Sequence, residues 1–408
     1  MSSEILFVLV VFTAVYIGMA LGRWPGLRVD RTGIALLGAI ALVAAGAIEG
    51  ATALSAVDAP TILVLFGLMI VSAQFGASGF YDWCSAQIAG GSASPAAILA
   101  VTILVAGALS AVLANDIVVF AMTPMLVKGL QGRGLDPRPY LIGLAGGANA
   151  GSAATIIGNP QNILIGQVGK LDFWSYVGLA APPAAIAMAI VFAVVWFMWR
   201  RRLAVGRIKA AGERPALDRA GLVKGFLATA ILLALFATPL PHAVSVLAVA
   251  GALLVSRRLS SREMLSLVDW HLLVLFAGLF VVTDAFAATG LPGQALAALT
   301  ASGVSLASTW TLLPLALAGS NVIGNVPMVV MLFAVAPDLA PETLTALAIL
   351  STLAGNLLIV GSLANIIVVE RASRAGVRLG FIEHARCGIP MTLLSMAAAA
   401  LWLWLLSA

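Results

Sequence analysis

The sequence predicts an all-α polytopic membrane protein, with about ten transmembrane helices plus two re-entrant hairpins in two inverted repeats. Of its 408 residues, 62% are hydrophobic and only 10% are charged, and the mean hydropathy is +1.08. So few polar side chains cannot cover the surface of a soluble globule of this size. Apolar runs of about 18 to 22 residues recur along the chain, and about 20 helical residues cross a bilayer. The lipid bilayer is therefore the expected surrounding of most of the chain.

The composition also excludes several classes of function. The net charge of +5 sits in short loops, where it sets membrane topology, so we expect no nucleic-acid partner. Cys84 and Cys387, with three histidines, offer neither a disulfide framework nor a metal-ligand spacing, and no cofactor beyond a coupling ion is expected. The run from Ile5 to Leu21 is too long for the apolar part of a signal peptide and follows acidic Glu4. It is predicted to be a retained helix.

The apolar runs place the spanning segments in order along the chain. We predict them at about residues 4–22, 32–49, 59–79, 138–168, 174–199, 222–238, 241–256, 268–288, 343–369 and 387–406. Two further apolar stretches, about 95–130 and 305–336, are interrupted near their middles by Asn115-Asp116 and by Gly324-Asn325-Val326-Pro327. These two stretches are predicted to be re-entrant hairpins.

Basic residues predict which loops face the cytoplasm. The longest polar stretch divides the chain in two and contains Arg200, Arg201, Arg202, Arg207, Lys209, Arg214, Arg219 and Lys224. Counting crossings from this stretch puts the other basic loops on the same side: Arg23, Arg28 and Arg31; Lys128, Arg133 and Arg138; Arg257, Arg258 and Arg262; Arg371, Arg374, Arg378 and Arg386. The loops at 50–58, 288–304 and 337–342 contain no Lys or Arg and should lie outside. We therefore predict a multi-pass protein of the bacterial inner membrane with both termini in the periplasm.

The two halves of the chain resemble each other at a spacing of about 210 residues, as in many secondary transporters. The stretch beginning at Val57 aligns with the one beginning at Val268. "ALSAVLANDIVVF" aligns with "AGSNVIGNVPMVV", and "GNPQN" aligns with "GSLAN". We predict a first repeat at 1–200, a cytoplasmic linker at 201–221 and a second repeat at 222–408. Each half has an odd number of crossings, so the second repeat should be inverted.

Four polar interruptions fall inside otherwise apolar segments. Irregular backbone at membrane depth is tolerated only where it is buried in protein or lines a cavity, so the four should meet. A broken helix offers free N–H groups to an anion at one end and free carbonyl groups to a cation at the other. The interruptions are Asn115-Asp116, Gly158-Asn159-Pro160-Gln161-Asn162, Gly324-Asn325-Val326-Pro327 and Gly361-Ser362-Leu363-Ala364-Asn365. Within them the candidate substrate- and ion-binding residues are Asn115, Asp116, Gly158, Asn159, Pro160, Asn162, Asn325, Pro327, Gly361, Ser362 and Asn365. Asn115, Asp116, Asn159, Asn325 and Asn365 are the candidate sodium ligands.

A single Asn or Gly-Pro in a membrane helix more often marks a packing kink than a ligand. Here the break recurs at matched positions in both halves, which favours a site. Small polar residues nearby are left open between helix packing and binding: Ser110, Ser320, Thr155, Asn149 and Asn356. Asp116 is the one acid at a predicted hairpin tip and could carry a cation or a proton, but its repeat partner is Val326. Asp284 lies in a crossing and is more consistent with the aqueous end of its helix.

These motifs resemble the ion transporter superfamily, in its branch of citrate-transporter-like proteins and divalent-anion:sodium symporters, which is related to arsenite permeases and sodium/proton antiporters. The resemblance covers essentially the whole chain and is most specific at "ANDIVVFAMTP", "GGANAGSAATIIGNPQN", "GNVPMVVM" and "GSLANIIVVE". It implies a homodimeric elevator transporter, with a mobile transport domain and a dimerising scaffold. It also implies one sodium ion between Asn115 and the break at 159–162, and a mirrored site formed by Asn325 and residues 362–365.

The hairpin tips depart from the dicarboxylate symporters, which carry Ser-Asn-Thr at both tips. This chain has Ala114-Asn115-Asp116 and Gly324-Asn325-Val326. The first tip looks more like arsenite permeases and sodium/proton antiporters. The resemblance therefore does not select a dicarboxylate as the substrate.

The leading hypothesis is a secondary active transporter of a small anion or oxyanion, coupled to sodium or protons. The alternative is a sodium/proton antiporter or an arsenite efflux permease with Asp116 as the carrier. A channel or a membrane enzyme is a third hypothesis. Against an enzyme, the apolar segments contain no Ser-His or paired-carboxylate arrangement, and His242, His271 and His384 lie near predicted membrane ends. Against a channel, repeated broken segments suit alternating access better.

Overall fold

The computed structural model describes residues 2–24, 26–90, 94–203, 216–256 and 259–407. Across these residues the chain forms twenty α-helices and one 3-10 turn, and an isolated β-bridge joins Arg23 to Asp30. The prediction of an all-α fold is confirmed. Five basic residues used to predict topology lie outside the described residues: Arg207, Lys209, Arg214, Arg257 and Arg258.

The helices divide evenly between the two halves of the described chain. The first half contains α1 (Ser3–Leu21), α2 (Arg31–Ala44), α3 (Gly50–Ala56), α4 (Ala59–Ala77), α5 (Phe80–Gly90), α6 (Pro95–Val112), α7 (Asn115–Gly132), α8 (Arg138–Ser152), α9 (Pro160–Val168) and α10 (Phe173–Leu203). The second half contains α11 (Arg219–Leu235), α12 (His242–Leu254), α13 (Ser261–Ser266), α14 (Trp270–Ala288), α15 (Leu291–Ala301), α16 (Thr309–Val322), α17 (Asn325–Val335), α18 (Pro341–Ala354), the 3-10 turn Ile359–Gly361, α19 (Leu363–Arg374) and α20 (Phe381–Ser407).

Within the described chain, six helices are long and apolar enough to cross a membrane: α1, α4, α6, α10, α14 and α20. Four further helices are apolar but shorter: α2, α12, α17 and α18. A 14-residue helix covers about 21 Å, which is less than the roughly 30 Å of the hydrocarbon layer. The predicted spans at 138–168 and 343–369 are each two helices, because Gly and polar residues interrupt both of them and Pro160 also interrupts the first. The protein is thus a multi-pass membrane protein with several broken helices.

Two predicted loops contain helices instead. Residues 50–58 include α3, and residues 288–304 include α15. α15 follows Gly290, whose φ of 73° is a conformation that suits glycine, and has Pro292 in its first turn, where proline is favoured. A helix of 11 residues is too short to give the hydropathy signal of a membrane span. α5 and α13 were missed for the same reason.

Glycine residues on α8 allow it to pack closely against α6. All residues of α8 from Pro139 onward are buried. Gly143, Gly147 and Gly151 recur every four residues, and a Cβ atom on Gly151 would overlap the backbone of Gly107 on α6. Such small-residue spacing lets membrane helices approach without side chains between them. The close contact brings the C-terminal ends of α6 and α8, where two chain breaks begin, next to each other.

Ion pairs join three helices at the N-terminal end of α8. Arg138 pairs with Asp136 at 2.6 Å and also pairs with Glu383 on α20. Its guanidinium lies 5.5 Å from the ring centroid of Trp199 on α10. Burial by itself would raise the pKa of Asp136, but hydrogen bonds from Arg138 and the charges of Arg138 and Arg202 hold it below the usual value. This cluster fixes the start of α8 relative to α10 and α20.

Candidate functional site

Four chain breaks meet at one cavity of about 60 Å³. Each break ends one helix and starts another: α6 to α7, α8 to α9, α16 to α17, and α18 to α19. The residues that begin the second helix of each pair all line the cavity: Asn115, Pro160, Asn325 and Leu363. The other lining residues are Arg31, Asp116, Gln161, Leu272, Leu275, Ile323, Gly324, Val326, Pro327, Val360, Gly361 and Ser362.

The cavity therefore faces four helix N-termini. The first N–H groups of a helix have no partner inside it and carry a partial positive charge. At α9 the Asn159 side chain satisfies one of them, because its Oδ1 accepts a hydrogen bond from the Asn162 amide at 2.9 Å. α7, α17 and α19 have no such side-chain cap. Three helix starts without a side-chain cap thus line one cavity, an arrangement suited to an anion.

Two buried asparagine oxygens at this cavity lack hydrogen-bond partners among the described residues. Asn115 donates its backbone amide to the Gly158 carbonyl at 3.1 Å and its side-chain amide to Asn149 at 3.3 Å, which leaves its Oδ1 without a donor. The Oδ1 atom of Asn325 is also buried and unpartnered. An unpaired buried carbonyl oxygen costs about 1–3 kcal/mol, so a ligand that satisfies either atom would be favoured. A hard cation such as sodium has this preference.

The break between α8 and α9, in the first half of the chain, is held in place by Thr352, a residue of the second half. Its hydroxyl accepts hydrogen bonds from Asn159 at 3.1 Å and from Gln161 at 3.3 Å, and it donates to Asn162 Oδ1 at 3.0 Å. Asn162 also donates to the Thr155 carbonyl at 3.1 Å. One buried hydroxyl therefore connects α18 to three polar residues at the start of α9.

The break between α18 and α19, in the second half of the chain, is held in place by Asn149, a residue of the first half. Its Oδ1 accepts from Ser362 at 2.9 Å, and its Nδ2 donates to Asn365 Oδ1 at 3.1 Å and to Asn356 Oδ1 at 2.8 Å. Because the same oxygen also accepts from Asn115, Asn149 connects the start of α7 with the second broken helix. Asn149 and Thr352 are separated by the same number of residues as Gly158 and Gly361, so the predicted alignment of the two halves pairs them.

Asp116 and Arg31 are the two charged residues among those that line the cavity. Asp116 is 7% exposed, and no basic residue of the described chain lies within ion-pair distance of its carboxylate. Arg31 begins α2 and donates Nε to the Met19 carbonyl at 3.1 Å. In the sequence, Arg31 indicated only the topology of its loop. The structure brings it to the same cavity as Asn115 and Asn325.

The sequence-predicted residues fall into two groups. Those on the cavity wall are Asn115, Asp116, Pro160, Asn325, Pro327, Gly361 and Ser362. Gly158, Asn159, Asn162 and Asn365 do not line it, and the asparagines among them hold the breaks in place from behind. Asp284 is half-buried and does not line the cavity. Thr352 was missed, although the same alignment that paired the two breaks also pairs it with Asn149.

Comparisons with known proteins agree on a transporter. The family model for citrate transporters, CitMHS, matches residues 7–344. An uncharacterized transporter of Mycobacterium tuberculosis is 29% identical over 97% of this chain and 97% of its own length. The silicon efflux transporter LSI3 of Oryza sativa is 28% identical over 91% of this chain and 92% of its own. In structure, the chain resembles the YdaH transporter of Alcanivorax borkumensis, with a TM-score of 0.55 and 16% identity over 98% of this chain and 97% of that one.

Proposed function

Because this chain belongs to the CitMHS citrate transporter family, and so is a transporter and not an enzyme, we propose that it carries a small anion coupled to sodium or protons. The observation that carries the proposal is the convergence of three uncapped helix N-termini on one cavity. N–H groups in a partly dry site attract an anion far more strongly than they would in water. The expectation of a transporter related to citrate carriers is confirmed; the choice of an anion is our proposal.

The size of the cavity favours a small cargo. Its volume of about 60 Å³ is well below the 300–1,000 Å³ that is typical of pockets for drug-sized ligands. A cargo of a few heavy atoms, such as an oxyanion or a short carboxylate, suits this volume better than citrate does. We propose this size class for the state of the transporter described above.

Cation coupling is supported by the unpartnered oxygens of Asn115 and Asn325. In our proposal one sodium ion uses Asn115 and another uses Asn325. The two sites are not equivalent, because Asp116 stands beside the first and Val326 beside the second. Coupling requires that the cations bind the inward and outward states with different affinity.

The transport mechanism we propose is an elevator built from two inverted repeats. It is supported by the matched helix pattern of the two halves: α4 and α14 each have 19 residues, α5 and α15 each have 11, and each half ends in a long helix. In this proposal the four breaks move together, and the protein is a homodimer of the bacterial inner membrane with both termini in the periplasm. Cysteine labelling of each terminus from one side of the membrane would test the orientation.

A second candidate is the exchange of a neutral oxyacid, such as arsenite or silicic acid, against protons. Two observations favour it: Asp116 is a buried acid on the cavity wall, and one relative is named a silicon efflux transporter. In this reading Asp116 takes up and releases the proton. No net anion charge would then cross with the cargo.

Thermal-shift screening followed by flux measurement separates the two candidates. We expect an oxyanion or short carboxylate, tested with and without sodium, to raise the melting temperature of the purified protein, because a ligand of the folded state stabilises it. In proteoliposomes the same anion should enter in a sodium- or proton-dependent way. Stabilisation and proton-coupled flux with arsenite or silicic acid alone would instead support the second candidate.

A further inference from the structure

Arg31 reaches the cavity from a part of the protein that contains none of the four breaks. It begins α2, which packs on α14 through a contact so close that a Cβ on Gly278 would overlap the backbone of Ala35. Leu272 and Leu275 of α14 line the same cavity. α2 and α14 thus contribute one wall, and Arg31 supplies the only charge on it.

The guanidinium of Arg31 is held but not neutralised. Nε donates to the Met19 carbonyl at 3.1 Å, which fixes the side chain against the last turn of α1. The neighbouring Asp30 is used elsewhere, since its carboxylate caps α2 through the Gly33 amide at 2.9 Å. The ion pairs of the described chain involve Arg138 and Arg202, and Arg31 has no carboxylate within 4.0 Å among the described residues. A half-buried cation that makes no ion pair is costly unless a ligand supplies the opposite charge.

Two ordinary roles for Arg31, setting the membrane topology and holding the end of α1, do not explain why its side chain lines the cavity. A positive charge for topology needs no burial, and the exposed Arg23 and Arg28 provide it in the same loop. Holding the end of α1 uses Nε alone. Neither role requires that the side chain line the cavity of Asn115 and Asn325.

We infer that Arg31 binds the anionic cargo directly and selects anions that present two oxygens on one central atom. A guanidinium donates two parallel N–H groups, which match a carboxylate or an oxyanion such as sulfate and do not match a halide. The helix N-termini of the breaks would hold the cargo from the other walls. This inference rests on the proposed function, because it requires an anion in the cavity.

The test compares four forms of the full-length protein: wild type, Arg31→Gln, Arg31→Lys and the control Arg28→Gln. Arg28→Gln removes the same charge from an exposed position in the same loop. The probes are succinate, sulfate and chloride, each titrated in sodium buffer, with binding followed by thermal shift or calorimetry. For the probe that binds wild type best, we expect Arg31→Gln to weaken affinity about 10-fold to 150-fold, as for loss of hydrogen bonds to a charged group.

The expected pattern distinguishes binding from folding. Arg31→Gln should melt without ligand close to wild type, Arg28→Gln should bind like wild type, and Arg31→Lys should bind with intermediate affinity because it keeps the charge but loses the paired donors. Equal affinity of Arg31→Gln and wild type for the oxyanion would overturn the inference while leaving the proposed function intact. If Arg31→Gln does not fold, Arg31→Lys decides, and unchanged affinity in that variant overturns it. Failure of wild type to bind either oxyanion would overturn the proposed function and this inference with it.

Discussion

Replacing Thr352 with valine removes a single hydroxyl from behind the cavity while keeping the shape of the side chain. The hydroxyl takes part in three hydrogen bonds, with Asn159, Gln161 and Asn162, at 3.1, 3.3 and 3.0 Å. Asn159 keeps a second acceptor, Ser152 Oγ at 3.0 Å. Asn162 Oδ1 no longer accepts a hydrogen bond from residue 352 and stays fully buried. The change therefore weakens the start of α9 without creating a cavity.

The expected loss of stability follows from these contacts. Side-chain hydrogen bonds between membrane helices contribute about 0.6 kcal/mol on average and up to about 1.7 kcal/mol. Three bonds, one of which leaves a buried oxygen unpaired, give a loss of about 2–4 kcal/mol. A chain of this size shifts by roughly 1–2 °C per kcal/mol, by extension of the trend for smaller domains. We expect Thr352→Val to lower the melting temperature by about 2–8 °C.

Thr392→Val is the matched control. Thr392 is fully buried on α20, and its hydroxyl has no hydrogen-bond partner among the described residues. Its removal should leave stability unchanged or slightly raised, because an unpaired buried hydroxyl is unfavourable. Both variants are measured by thermal unfolding in the same detergent and by cargo flux in proteoliposomes. If Thr352→Val melts within 1 °C of Thr392→Val, taken as about the resolution of the assay, and transports normally, the hydroxyl does not organise the first break.

Four further substitutions test other parts of the molecule. Asn115→Ala and Asn325→Ala should fold, as judged by size-exclusion profile, but reduce flux to background, because each removes an unpartnered oxygen at the cavity; normal flux in both would refute the cation sites. Asp116→Asn should abolish any proton movement that accompanies the cargo, read with a pH-sensitive dye inside liposomes, and unchanged proton flux would exclude Asp116 as the carrier. Asp136→Asn should lower the melting temperature at pH 7. That difference from wild type should vanish as the pH falls through the pKa of Asp136, which lies below its ordinary value, because a carboxylate with a depressed pKa stabilises the fold only while ionised; a constant difference would contradict the role of the Arg138 pair.

The positions of the breaks could be predicted because their signals are local. Asn115, Pro160 and Asn325 each begin a helix in the structure, and polar residues, Gly and Pro in an apolar run mark such points without knowledge of the rest of the chain. Some boundaries of the long helices follow from hydropathy in the same way, whereas α20 begins at Phe381, six residues before the predicted span at 387–406. α4, for example, begins at Ala59, where the apolar run begins. Short helices such as α3 and α15 were not predicted, since their length gives no membrane-spanning signal.

The contacts behind the cavity could not be predicted from composition or spacing. Thr352 is one of many small polar residues in apolar helices, and most of these only mediate packing. Asn149 was left open for that reason. Its partners Ser362 and Asn365 lie more than 200 residues away in sequence, so the bonds between them depend on how the two halves fit together.

By itself the sequence determined that the chain is an all-helical membrane protein with four polar breaks, because hydropathy and helix-breaking residues act within a few turns of helix. Only the tertiary structure decided which atoms face the shared cavity. It placed the side chains of Asn159, Asn162 and Asn365 behind the wall, left the oxygens of Asn115 and Asn325 without partners, and brought Arg31 from a topogenic loop to the cavity. These outcomes depend on contacts between the two halves, and burial and hydrogen-bond satisfaction are properties of those contacts.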